Sequence, residues 1–266
     1  MPPRAPHHEH HKHREHIAGA AVVVVVAWAA LFFALPLVGL GARVPWTRAP
    51  SLLLSPVFLE ALGLSVGVAL GALGLAVVVG VPVAAVLARG TLPGRGLLRA
   101  LVSLPLVLPP VVAGIGLLLA FGRRGPLGGL WELPFTTAGA VVAATFVSAP
   151  FFILSVEAGF ARVDPLLVDA ARALGAGRWL LWRAVWLPAL RPSLVTGASL
   201  CFARALGEFG ATITFAGNLQ GRTQTMPLLV YGLMADDPGA AALAAVVLLG
   251  VAVVVVVGLR AWGRDP

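Results

Sequence analysis

The sequence predicts an all-α, polytopic membrane protein with six transmembrane helices, and three observations carry that prediction. Of 266 residues, 59% are hydrophobic and 11% are charged, against about 25% charged in ordinary soluble domains. Mean hydropathy is +0.95. Apolar runs such as Val22–Val26 and Val251–Val257 do not alternate, as strands of a transmembrane barrel would. A soluble globule of this composition would lack polar groups to cover its surface, and a disordered chain is excluded on the same grounds. A disulfide scaffold is excluded because Cys201 is the only cysteine. The net charge of +8 does not point to nucleic acid, because the basic residues fall in short loops between apolar runs.

A helical crossing of a hydrocarbon core about 30 Å thick takes roughly 20 residues. Five uncharged stretches meet that length: Ile17 to Ala42, Ala61 to Ala88, Ala100 to Gly122, Leu133 to Val156 and Gly239 to Leu259. A sixth, Pro192 to Gly221, is apolar but holds Arg204 and Glu208. The first span lacks a clean small-residue cleavage site and reads as an uncleaved helix, not a signal peptide. Residues 1–16 read as a His-rich cytoplasmic tail and residues 17–262 as one transmembrane domain.

Orientation follows from lysine and arginine in the short loops. With the N-terminus inside, 13 of them fall on the inner side and 5 on the outer, and Arg204 lies within the membrane. Both termini are therefore expected in the cytoplasm. The segment 160–190, between the fourth and fifth spans, carries the densest inner charge. The loop from Asn218 to Pro238 is the main outer feature.

Catalytic constellations are missing. All six histidines (His7, His8, His10, His11, His13 and His16) lie in the tail, which argues against a Ser-His intramembrane protease. The aspartates fall in loops or at the C-terminus, so a paired-carboxylate hydrolase is not expected. No G-x-x-x-x-G-K-[ST] phosphate loop is present. Any energy for work comes from another subunit or a gradient. The histidine cluster reads either as a divalent-metal site or as a solvated tail, and its irregular spacing fixes no tetrahedral geometry.

The specific signal lies at Val163 to Arg191. Asp164 followed by Pro165 is a helix start. Leu166, Leu167, Ala170, Ala171 and Leu174 recur at helical spacing, and Gly175 and Gly177 end or turn the helix. A second amphipathic piece mixes Trp179, Trp182 and Trp186 with Arg178 and Arg183, and Pro188 is expected to break it. The residues allow two readings: a helix docking its small residues into a partner's groove, or an interfacial anchor of Trp and Arg.

Asp169-Ala170-Ala171, three residues, Gly175, nine residues, Val185, one residue and Leu187-Pro188 resemble the E-A-A-x3-G-x9-I-x-L-P signature of ABC importer permeases. Asp169 and Val185 are conservative departures. Leu104 to Gly114 resembles the third-helix motif of molybdate permeases. Ala203-Arg204-Ala205-Leu206-Gly207-Glu208-Phe209-Gly210-Ala211-Thr212, continued by Ala216-Gly217-Asn218 and by Gly221, Thr223, Gln224, Thr225 and Pro227, is similar to their fifth-helix motif. Sulfate permeases share the A-R-A-x-G-E pattern, so the oxyanion class is the safer implication. The likeness covers roughly residues 55 to 260.

That resemblance implies a type I importer permease fold in a bacterial inner membrane and an alternating-access mechanism. It implies a homodimer of permeases, two cytoplasmic ABC ATPase subunits that use ATP and magnesium, and an extracytoplasmic oxyanion-binding protein. The chain itself would bind no cofactor and hold no metal. Asp169, Ala170, Ala171, Gly175, Leu187 and Pro188 would belong to the coupling segment. The third and fifth spans, with Pro109, Pro110, Gly114, Gly207, Thr212 and Thr214, are expected either to line the pathway or simply to pack through small residues. Arg204 and Glu208, four apart, read as a structural ion pair or as an anion-attracting group with its restraint. Molybdate or tungstate is the expected cargo, with sulfate or thiosulfate as the alternative within the class. An ATP-independent channel or carrier remains the reading from another class.

Overall fold

The computed structural model describes residues 7–90, 93–128 and 132–262, with residues 7–21, 89 and 262 as backbone only. In chain order the helices are α1 (His7–Arg43), α2 (Ala49–Leu53), α3 (Pro56–Arg89), α4 (Arg95–Val107), α5 (Pro110–Phe121), α6 (Thr137–Arg162), α7 (Pro165–Ala173) and α8 (Arg178–Leu181). A π-helical turn (Trp182–Trp186) leads into α9 (Leu187–Leu206), followed by α10 (Gly210–Phe215), α11 (Met226–Asp236) and α12 (Pro238–Trp262). No strand occurs among the described residues, as the non-alternating apolar runs predict.

The six expected spans are not six uninterrupted helices. Four described helices are long and apolar enough to cross a membrane, within α1, α3, α6 and α12, and α4 with α5 makes a fifth if counted as one bent span. The bend is 120°. Its cause is local: Leu108 precedes Pro109 and Pro109 precedes Pro110, and a residue before proline is pushed out of the helical region. Leu108 sits at ψ 133° and Pro109 at ψ 133°. The expected Pro192–Gly221 span is also divided, into α9 and α10.

Between helices in lipid there is little hydrophobic drive, so association depends on close packing through small residues. The centre of the molecule follows that rule. Ala69, Ala72 and Ala76 of α3 and Ala140, Ala143 and Ala144 of α6 are all buried. Gly80 lets α3 approach Phe152, where a Cβ would lie 2.9 Å from the ring. Gly197 likewise lets α9 approach α6, where a Cβ would lie 3.1 Å from the Phe152 carbonyl oxygen. Phe152 and Phe202 are fully enclosed at these crossings. By contrast, the α1 window Val22–Arg43 is 0% buried, and only its end, through Leu40 and the following Val44, joins a core with α2, α3, α11 and α12.

Three expectations change here. The helix begins at His7, so most of the assigned tail continues α1; the histidine side chains lie outside the described residues. The 218–238 loop contains a helix, α11, whose Met226, Leu228 and Leu229 are buried. The fourth span runs on past Val156 to Arg162 and carries Glu157, which is 8% exposed.

Candidate functional site

The segment after α6 forms a compact, separately capped unit. Asp164 Oδ1 accepts a hydrogen bond from the Leu166 amide at 2.9 Å, and Pro165 occupies the first helical turn of α7. Gly175 ends the helix at φ +84°, with the Gly175 amide donating to Arg172 O and the Ala176 amide to Ala171 O. Val168 packs on Leu181 and Val185, so α7 folds back on α8 and the π turn. Phe160 at the end of α6 holds that turn through Trp186, with ring centroids 5.5 Å apart, and through Trp182 at 6.2 Å.

Seen from outside this unit, Asp169, Ala170, Gly175, Leu187 and Pro188 are exposed and Ala171 is half-buried. Leu166 and Leu174 are 75% and 88% exposed. Asp169 and Arg172 approach to 3.4 Å, but at this exposure such a pair contributes little stability. A cavity of about 350 Å³ opens beside Asp169 and Arg172, walled by Ala88, Phe160 and Val168.

Pro188 does not break the helix, contrary to expectation. The Leu187 amide donates to Trp182 O, five residues back, so the helix widens into a π turn just before the proline. Pro188 then sits in the first turn of α9. A π turn relieves the clash of a proline ring with the preceding turn, and such insertions recur at functional sites.

The second cluster joins the two interrupted spans. α9 ends at Leu206, Gly207 leaves the helix at ψ 9°, and α10 starts at Gly210. Glu208 therefore does not share a helix with Arg204, yet the Arg204 guanidinium pairs with Glu208 Oε2, and Glu208 Oε1 accepts from the Ala211 amide at 2.8 Å. The Glu208 side chain is 1% exposed and that of Arg204 29%. One carboxylate thus caps α10 and neutralises an arginine.

Against this break lies the bend of the third span. Gly210 packs on Pro110, and a Cβ at Gly114 would lie 1.8 Å from Thr214 Oγ1 and 2.7 Å from Ala211 O. Thr214 donates to Gly210 O and Ala211 O and reaches Val111 O at 3.5 Å. Thr212 is buried and Pro109 exposed. The structure thus brings Pro110, Gly114 and Thr214 together and leaves Gly207 exposed, where an added Cβ would lie no nearer than 3.6 Å to any neighbour, the Ala203 carbonyl.

Two features lay outside the sequence expectations. Arg99 of α4 forms an ion pair with the buried Glu157 of α6, and Arg95 donates to Leu87 O. Both bind α4 to its neighbours. Glu157 at the edge of an apolar run was the available signal. A cavity of about 530 Å³ between α6 and α9 carries Ser155, Ser193, Thr196 and Arg162 among apolar residues. Isolated serines in an apolar helix give no sequence signal.

With this geometry established, comparison with known proteins gives consistent results. Residues 76–262 match the family described as binding-protein-dependent transport system inner membrane component. The molybdenum transport system permease protein ModB of Mycobacterium bovis is 46% identical over 238 residues, covering 87% of this chain and 89% of that protein. That of Escherichia coli is 42% identical over 176 residues, 64% of this chain and 77% of the relative. A bacterial alginate ABC transporter, crystallised with an alginate pentasaccharide-bound periplasmic protein, superposes with a TM-score of 0.73 over 94% of this chain and 95% of its own at 18% identity. That last likeness bears on the fold.

Proposed function

The chain belongs to the binding-protein-dependent transport system inner membrane components, and from that premise we propose that it is the multi-pass permease subunit of an ATP-driven ABC importer for molybdate. The observation that carries the working mechanism is the exposed face of α7, built around Asp169 and Ala170 on a unit fixed to α6 and α9 through Phe160, Trp186 and Val185.

In this reading two copies of the chain surround one pathway. Two ABC ATPase subunits, which use ATP and magnesium, grip α7 from the cytoplasm, and an oxyanion-binding protein delivers cargo from the other side. Both termini lie in the cytoplasm, in keeping with the arginine distribution. Closure of the ATPases draws the two α7 helices together. Because α7 leans on the π turn and α9, the displacement passes into the interrupted fifth span as a rigid-body motion.

A tetrahedral dianion is costly to move through hydrocarbon, and hydroxyls and arginines placed on the route lower that cost without binding tightly. Arg204, Gly207, Glu208, Pro109, Pro110 and Gly114 shape the route by fixing where the third and fifth spans break. Thr212 and Thr214 belong to the same junction, but Thr214 spends its hydroxyl on carbonyls, which favours packing for that residue. In the α6–α9 cavity Ser155 donates to Ser193 O, and Thr196 is the exposed hydroxyl. Tungstate fits the same chemistry.

The test is reconstitution with an ABC ATPase and a molybdate-binding protein in proteoliposomes. ATP-dependent molybdate uptake is the expected result. Gly175→Leu places a side chain at φ +84° with no neighbour within 4 Å, so the strain is confined to the end of α7. That variant should stay folded and hydrolyse ATP without uptake. Uptake by the chain alone, or normal coupling in Gly175→Leu, overturns the reading.

A further inference from the structure

A cavity of about 440 Å³ lies where α5 ends and α6 begins, and two arginines from separate loops, Arg123 and Arg222, form part of its wall. Among the described residues neither guanidinium has a hydrogen-bonding or ionic partner. The opposing charge is Glu132, also in the wall, and it pairs with neither arginine.

The surroundings of these arginines are fixed by the chain itself. The loop carrying Arg123 folds tightly back on α5: the Gly125 amide donates to Gly122 O at 2.7 Å and the Leu127 amide to Ala120 O at 3.0 Å. A Cβ at Gly128 would meet Gly122 O at 1.9 Å. The backbone of Arg222 is held by Thr137, whose hydroxyl donates to Arg222 O at 2.8 Å. Phe135, in the same wall, has φ +60°, the sole positive value among described residues other than glycine. Its amide donates to Phe215 O at 3.2 Å. Strained backbone of this kind persists where the surrounding structure imposes it, and it clusters at functional sites. The wall also reaches Phe121, which packs on Phe215 at 6.2 Å, so the cavity adjoins the junction of the interrupted spans.

We propose that this cavity receives a free tetrahedral oxyanion between Arg123 and Arg222 before it enters the pathway. The fork of a guanidinium matches two oxygens of such an anion at once. Glu132 weakens the hold and so favours release. The inference rests on the importer reading for the source of the anion, but binding is measured without transport.

The experiment uses the full chain in nanodiscs of phosphatidylcholine, titrated with sodium molybdate in a calorimeter at constant ionic strength set by chloride. Saturable binding is expected. Arg123→Gln and Arg222→Gln should each weaken it about tenfold, the scale of one lost charge-assisted hydrogen bond. Arg124→Gln, a neighbour outside the cavity wall, should leave it unchanged. Glu132→Gln should tighten it, which a structural role would not produce. Size-exclusion profiles establish folding of each variant.

Absence of saturable binding, or equal affinity in all variants, overturns the proposal. So does loss of molybdate binding when phosphatidylglycerol is added to the nanodiscs, which would assign the arginines to a lipid headgroup phosphate. Molybdate uptake by the parent in proteoliposomes, with unaltered KM in Arg123→Gln and Arg222→Gln, rejects this site and leaves the importer reading intact. Binding as predicted with no ATP-driven uptake rejects the importer reading alone.

Discussion

Replacing Arg204 by alanine removes the charge partner of a carboxylate that is 1% exposed. Glu208 then keeps one contact, the Ala211 amide at 2.8 Å, and the rest of its charge is uncompensated. Breaking one side of a buried ion pair costs about 3–5 kcal/mol. Arg204 is 29% exposed, which places the loss near the lower end, about 3 kcal/mol. Removing Glu208 as well relieves the stranded charge and forfeits the cap on α10, a loss of about 1 kcal/mol. The double variant Arg204→Ala, Glu208→Ala should therefore be more stable than Arg204→Ala alone by about 2 kcal/mol. Glu208→Gln separates the two roles, since its amide oxygen can still accept from Ala211 but carries no charge. Thermal unfolding of the purified chain in detergent, followed by tryptophan fluorescence, reads the order of midpoints. Equal destabilisation in the single and double variants would refute the coupling.

Three further outcomes are expected. Gly114→Ala should destabilise by about 1–3 kcal/mol through overpacking, and Thr214→Ala should rescue it only in part, because Ala211 O remains 2.7 Å from the new Cβ; complete rescue in the same unfolding assay would place the strain elsewhere. Arg99→Ala should destabilise more than Arg99→Lys, because the buried Glu157 keeps a cation only in the latter; equal losses would show that charge is not what matters there. The Asp237 carboxyl is held below its ordinary value of 3.8, first by the Ala240 amide and then by Arg48. Its stabilising effect should be complete above that ordinary value and fade as pH falls through the depressed one; Arg48→Ala should reduce this acid sensitivity, and an unchanged acid limb of unfolding midpoint against pH would exclude it.

What could be read from the sequence was governed by length and local chemistry. The continuous spans were legible because uncharged runs of membrane length have few other fates in water. The α7 unit was legible because Asp164-Pro165 and Gly175 each impose a local geometry, N-cap and left-handed turn, which the structure reproduces. Pro188 misled because its effect depends on whether the preceding turn can widen, and nothing in Trp182–Trp186 announces a π turn. The i, i+4 spacing of Arg204 and Glu208 indicated contact for a reason that proved incomplete. The helix stops between them, and the pair survives because the break turns Glu208 inward. The α6–α9 cavity and the Arg123–Arg222 wall were not legible, since both arise from residues far apart in the chain.

The two interruptions explain one another. Inside a membrane, a broken helix leaves amides and carbonyls that lipid cannot satisfy, so such breaks occur only where protein or a cavity serves them. At the break of the fifth span Glu208 serves the Ala211 amide, and its charge is in turn offset by Arg204. The bend of the third span presents Val111 O, which Thr214 reaches from α10, and Pro110, which rests on Gly210. The close approach requires Gly114, where any side chain would strike α10. Pro110, Val111 and Gly114 of the third span thus meet Gly210, Ala211 and Thr214 of the fifth. A force arriving through α7 and α9 would act on this shared joint, where α9 gives way to α10 between Leu206 and Gly210. Motion can concentrate there without unpacking α3 against α6, whose alanine and glycine contacts hold the rest of the bundle rigid.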